Sequence, residues 1–134
     1  MEKQRNEVLH TITIHETQLA RLRGPVCVVL RAMRFPVYRI GYNYLVLLIC
    51  SFSVDSTLSL TKELYPFVAE YYGTSSWKAV EHAVRLIILV AWEQRDQEVW
   101  EQFFPRAVQP PTPKQFIATI AEFVKNTPPE IGRG

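Results

Sequence analysis

One stretch constrains the fold of this chain more than any other: Leu64 to Trp92, LYPFVAEYYGTSSWKAVEHAVRLIILVAW. It reads as a short helix, a glycine turn and a longer helix. Ala69 and Gly73 stand four apart, as a helix-turn-helix spaces its small packing residue and its turn glycine. Val80, Val84, Ile87 and Ala91 share one face of the longer helix, the expected core side. Lys78, His82 and Arg85, at i, i+4 and i+7, share another. A cationic face on the second helix of such a unit is how a protein enters a DNA major groove. Lys78, His82 and Arg85 are therefore candidate DNA-binding residues.

The flanking chain is helical in pattern. Residues 2–23 are polar, with apolar positions at Val8, Ile12, Leu19 and Leu22 that fit a narrow helical stripe. The TITI of Thr11 to Ile14 would also suit a strand. Gly24-Pro25 is expected to end this segment. The segment is either a helix laid on the domain surface or a helix for dimerisation or a partner. Val26 to Met33 begins a second apolar helix, which Phe35-Pro36 breaks. Gly41 to Ser53 follows as a helix apolar on nearly every side, with Tyr42, Leu45, Leu48, Ile49 and Phe52 at helical spacing. Such a helix belongs in the centre of a fold.

Ser53 to Ser59 is a polar connector, and Thr61 is a cap for the next helix. Pro66 lies just past the first turn of that helix or kinks it. Asp96 caps a helix over Gln97 to Phe104, which Pro105 stops. Thr112-Pro113-Lys114-Gln115 is the clearest local signal: threonine at the cap, proline in the first helical position, and Gln115 placed for a capping box. Phe116, Ile117, Ile120, Ala121 and Val124 then form an apolar face. The expected architecture is all-α, with six or seven helices and a helix-turn-helix. The chain divides into an extension over 1–24, a domain over 25–125 and a flexible tail over 126–134.

Charge argues against a strong general grip on nucleic acid. The net charge of +2 is uneven. Residues 1–40 hold seven Lys or Arg against three Asp or Glu, whereas residues 41–92 hold three against four. The helix-turn-helix is thus near neutral, although phosphate neutralisation dominates DNA affinity. The two cysteines, Cys27 and Cys50, lie in apolar runs with no ligand-like spacing and read as buried free thiols. The three histidines are scattered, so neither a metal nor a cofactor is expected. The N-terminus is polar and mixed-charge, unlike a secretory signal. The longest apolar run, Tyr44 to Phe52, falls far below the roughly 18–20 residues that span a bilayer. A cytoplasmic setting without membrane contact is expected. No nucleophile, base and orienting group cluster in this pattern, so an enzyme is not expected.

Four segments carry a likeness to a known family. They are Phe35-Pro36-Val37-Tyr38-Arg39-Ile40-Gly41-Tyr42-Asn43-Tyr44-Leu45; Leu60-Thr61-Lys62-Glu63-Leu64-Tyr65-Pro66 with Val68-Ala69 and Tyr72; Val80-Glu81, Ala83 and Arg85 leading to Val90-Ala91-Trp92; and Pro111-Thr112 with Phe116-Ile117-Ala118. From about Leu30 to Val124 the chain resembles the C-terminal effector domain of stage zero sporulation protein A, a response regulator of Firmicutes. The resemblance implies a six-helix DNA-binding domain that reads short promoter boxes, often as tandem dimers. It also implies contact with the sigma subunit of RNA polymerase through residues 93–103. The full-length regulator of that family carries an N-terminal receiver domain. Some 25 residues precede the likeness here, so phosphorylation control by that route is not expected.

The departures fall on the recognition helix. The family has arginines at the positions of Ala79 and His82 and a histidine at Leu86, whereas Glu81 and Arg85 are kept. Lys78 stands at a serine position, Trp77 at a proline, and Ile40 at a lysine. An arginine on a guanine edge contributes roughly 1–3 kcal/mol of discrimination, so Ala79 removes a principal reader. Arg85 either contacts DNA or is a solvated helix arginine. Lys78 suits a phosphate. His82 suits a base or phosphate, or has no role. Glu81 accepts from a cytosine amino group or pairs with Arg85. Ala79, Leu86 and Leu89 make an apolar stripe beside the cationic one, which a covering element would explain. The expected function is a DNA-binding transcription regulator with altered sequence preference. The alternative is an interaction module that keeps the fold, has lost the reader, and pairs with a relative or its partners.

Overall fold

A computed structural model describes residues 16–126. Six α-helices occupy this span: α1 (Glu16–Ala32), α2 (Ile40–Val54), α3 (Tyr65–Tyr72), α4 (Trp77–Glu93), α5 (Gln97–Phe103) and α6 (Pro113–Lys125), with a π-helical turn over Leu60–Leu64 before α3. No strand occurs among the described residues. The expected tail over 126–134 lies outside them, apart from Asn126, which closes α6. So do Val8 and Ile12 of the first expected helical stripe.

Helix α2 is the centre of the fold. Its Leu45, Val46, Leu48 and Ile49 are fully buried, as its all-round apolar pattern requires. It packs against α1, α3, α4 and α6. A second knot of the core forms around Trp100 of α5, whose ring meets Phe35, Trp92, Phe104 and Phe116. The indole Nε1–H donates to the Met33 carbonyl at 3.0 Å, so the polar edge of this buried ring is satisfied.

Two local expectations are corrected. Gly24-Pro25 does not end the first helix: α1 runs through both to Ala32, with Pro25 inside it. Proline in a helix interior costs about 3 kcal/mol. Here Leu19, Leu22, Val26, Val29, Leu30 and Met33 form one unbroken helical stripe through the proline, and all six pack on the core. That burial offsets the lost hydrogen bond. The cap before α3 is Ser59, not Thr61. The Ser59 hydroxyl accepts from Lys62 N–H at 3.2 Å, and Glu63 Oε1 accepts from Ser59 N–H at 2.7 Å. The wider π turn then delivers Pro66 to the start of α3, where its missing N–H leaves no gap.

Helices α1 and α3 end alike. Arg34 N–H donates to Arg31 O and Phe35 N–H to Leu30 O, while Gly73 N–H donates to Glu70 O and Thr74 N–H to Ala69 O. Both are Schellman closures through a left-handed residue, Arg34 at φ 66° and Gly73 at φ 67°. Glycine adopts that geometry freely, whereas Arg34 is held in it. Gln94 Nε2 donates to the Arg34 carbonyl at 3.0 Å, and Arg34 Nη1 donates to the Gln94 carbonyl at 3.3 Å. This reciprocal pair ties the end of α1 to the end of α4.

Candidate nucleic-acid interface

The helix-turn-helix is α3 and α4. Its turn is fixed from three sides. Gly73 takes the left-handed corner, the Tyr44 hydroxyl of α2 bonds Thr74 Oγ1 at 2.6 Å, and the Ser76 hydroxyl caps α4 by accepting from Ala79 N–H at 3.2 Å. Trp77, the first residue of α4, stacks on Tyr65 of α3 with ring centroids 6.4 Å apart and planes 9° from parallel. Val80, Val84, Ile87 and Ala91 are buried as a row, so the opposite face of α4 is turned outward.

That outward face carries Lys78, His82 and Arg85, all exposed. The Lys78 ammonium lies 5.8 Å from the Trp77 ring centroid, within cation–π range. Glu81 sits at the edge of the face, half-buried, with Oε2 3.6 Å from Arg85 Nη2. This is the i, i+4 pair with Arg85, one of the two readings of Glu81. Ala79 is half-buried.

The apolar stripe stands open among the described residues. Leu86 is 44% exposed and Leu89 39%. Leu86 shares a shallow groove with Arg39, Ile40 and Gly41, and Ile40 is 51% exposed. Leu86 and Ile40 here line one surface. The start of α2 approaches α4 closely at this point, because a Cβ on Gly41 would lie 2.8 Å from the Ala83 carbonyl oxygen.

The fold gathers one feature that no linear pattern announces. Arg85 and Glu81 form one wall of a cleft of about 460 Å³ whose other walls come from the α2–α3 connector, the π turn and the start of α6. Tyr65, Ser56, Thr61 and Lys114 also line it. Burial pushes the Tyr65 phenol up to about 12, with the Glu81 charge adding to the rise and Arg85 opposing it.

The profile of one protein family, described as "Sporulation initiation factor Spo0A C terminal", matches residues 26–124. The chain belongs to that family. The match runs from inside α1 to the last turn of α6 and includes the whole helix-turn-helix. The family is one of DNA-binding effector domains of sporulation control, and the all-helical fold is consistent with that membership. Among the described residues no helix is long and apolar enough to cross a membrane, and no group of His, Cys, Asp and Glu could hold a metal ion.

Proposed function

We propose that this Spo0A C-terminal family member is a DNA-binding transcription regulator that reads a sequence different from that of its relatives. The observation that carries the reading is the outward face of α4, where Lys78, His82 and Arg85 stand exposed together behind a capped N-terminus. Arg85 is the base reader. Glu81 orients it through the 3.6 Å pair and accepts from a cytosine amino group in the complex. Lys78 and His82 hold phosphate or base edges at the helix start. Ala79 offers no donor, which is the basis of the altered preference. The exposed residues of 93–103 are the surface for a polymerase sigma subunit, paired sites would recruit a homodimer, and the cytoplasm is the compartment for both.

Selection of bound duplexes from a random pool, followed by anisotropy titration, tests this. An enriched motif should bind at nanomolar to submicromolar concentration, and Arg85→Ala should weaken it by roughly ten- to a hundredfold. Micromolar or weaker binding to every duplex, unchanged by Arg85→Ala, sinks the reading.

The open patch of Ile40, Leu86 and Leu89 favours a second reading, an interaction module that pairs with a relative or its partners. Co-purification of a relative that survives high salt and is lost on Leu86→Lys supports it. A monomer that binds DNA unaided argues against it.

A further inference from the structure

We infer that the cleft between α4, the π turn and the start of α6 is a seat for a backbone phosphodiester of the DNA duplex that α4 enters. The inference rests on the DNA-binding reading and goes beyond the recognition face. Two cations line the cleft, Arg85 from α4 and Lys114 from α6. The carboxylate that also lines it, Glu81, is joined to Arg85, which leaves Lys114 as the unpaired charge of the cleft. Lys114 is exposed and has no ion-pair partner among the described residues.

A second observation points to a ligand independently. Tyr65 is only 1% exposed, yet its phenol makes no hydrogen bond among the described residues. Ser51 Oγ is the one sealed, unpartnered side-chain polar atom among the described residues. The Tyr65 hydroxyl therefore keeps its contact with solvent, and the cleft is the space it lines. Ser56 and Thr61 add exposed hydroxyls to the same walls. Lysine, arginine, tyrosine and short hydroxyl side chains are the usual donors to a DNA phosphate. Because Arg85 belongs to both the recognition face and the cleft, the strand that enters would be continuous with the groove α4 reads.

The test is anisotropy titration of the full chain with duplex DNA across a salt series, using Lys114→Gln, Tyr65→Phe and, as control, Lys125→Gln at the far end of α6. The slope of log affinity against log salt should become shallower by about 0.9 for Lys114→Gln, the loss of one phosphate contact. Its affinity should fall by the same factor on selected and unselected duplexes. Tyr65→Phe should weaken binding several-fold without changing the slope, and Lys125→Gln should match the wild type. An unchanged slope for Lys114→Gln, with the wild type binding normally, overturns the cleft and leaves the DNA-binding reading standing. A wild type that binds no duplex even at low salt overturns both. Inorganic phosphate is titrated calorimetrically in parallel. Submillimolar binding abolished by Lys114→Gln, with DNA affinity untouched, would overturn the phosphodiester in favour of a small phosphate ligand.

Discussion

Single residues set the position of the reading helix. Gly41 is the sharpest case, because the backbone of α2 meets the backbone of α4 there with no room for a methyl group. Alanine would gain about 1 kcal/mol of helix propensity, but the atom in its way is the Ala83 carbonyl oxygen, which moves only if α4 moves. Overpacking of that kind costs about 1–3 kcal/mol. Gly41→Ala should therefore lower the urea midpoint and weaken DNA binding together, since the displaced helix carries Arg85. An unchanged midpoint would show that α4 is free to shift, contrary to the packing. The close approach was not legible in the sequence, where Gly41 is merely the first residue of an apolar run. Arg85 and Glu81 were legible, because i, i+4 spacing alone places them side by side. The unpartnered Tyr65 hydroxyl was not, because a buried phenol in a helix gives no local sign of which neighbours it lacks.

At the scale of elements, caps and stops decide where helices begin, and some are more local than others. Thr112, Pro113 and Gln115 form the capping box that their order predicts, with Thr112 Oγ1 accepting from Gln115 N–H at 3.2 Å and Gln115 Oε1 accepting from Thr112 N–H at 3.0 Å. Thr112→Ala should lower stability by about 1 kcal/mol, read as a drop of a few degrees in Tm. A Tm equal to the wild type would mean that the helix end is held by its packing alone. Pro25 shows the opposite balance. Its local signal says stop, yet the apolar stripe of α1 runs through it and the helix continues. Pro66 shows a third outcome. The backbone widens into a π turn ahead of it, so the proline lands where no N–H is needed.

Over the whole molecule, the core is built around groups that resist losing a proton. Burial pushes Tyr42, Cys50 and Tyr65 each up to about 12, and Tyr72 is raised by burial as well. For Tyr42 and Cys50 the neighbouring Cys27 adds to the rise, while Arg31 and Arg23 respectively oppose it. The folded form holds these protons at a pH where the unfolded chain, with ordinary values of 9.0 and 10.0, has released them. The stability these groups contribute is therefore complete below about pH 9 and is lost as pH rises toward 12. Urea midpoints should stay level from pH 7 to 9 and decline steeply by pH 11. A level midpoint at pH 11 would show that these groups titrate in the fold as they do in water. The sequence by itself determined most of the helices, the buried faces and the helix-turn-helix, because periodicity, capping residues and turn glycines act within a few residues of themselves, and the likeness of four segments pointed to the family. Only the tertiary structure decided that α1 ignores its proline, that Ile40 and Leu86 share one open surface, and that Arg85 stands in a cleft with Lys114 and Tyr65. Each of those depends on which faces lie against one another. That is set by the packing of α2 with the helices around it, not by any spacing along the chain.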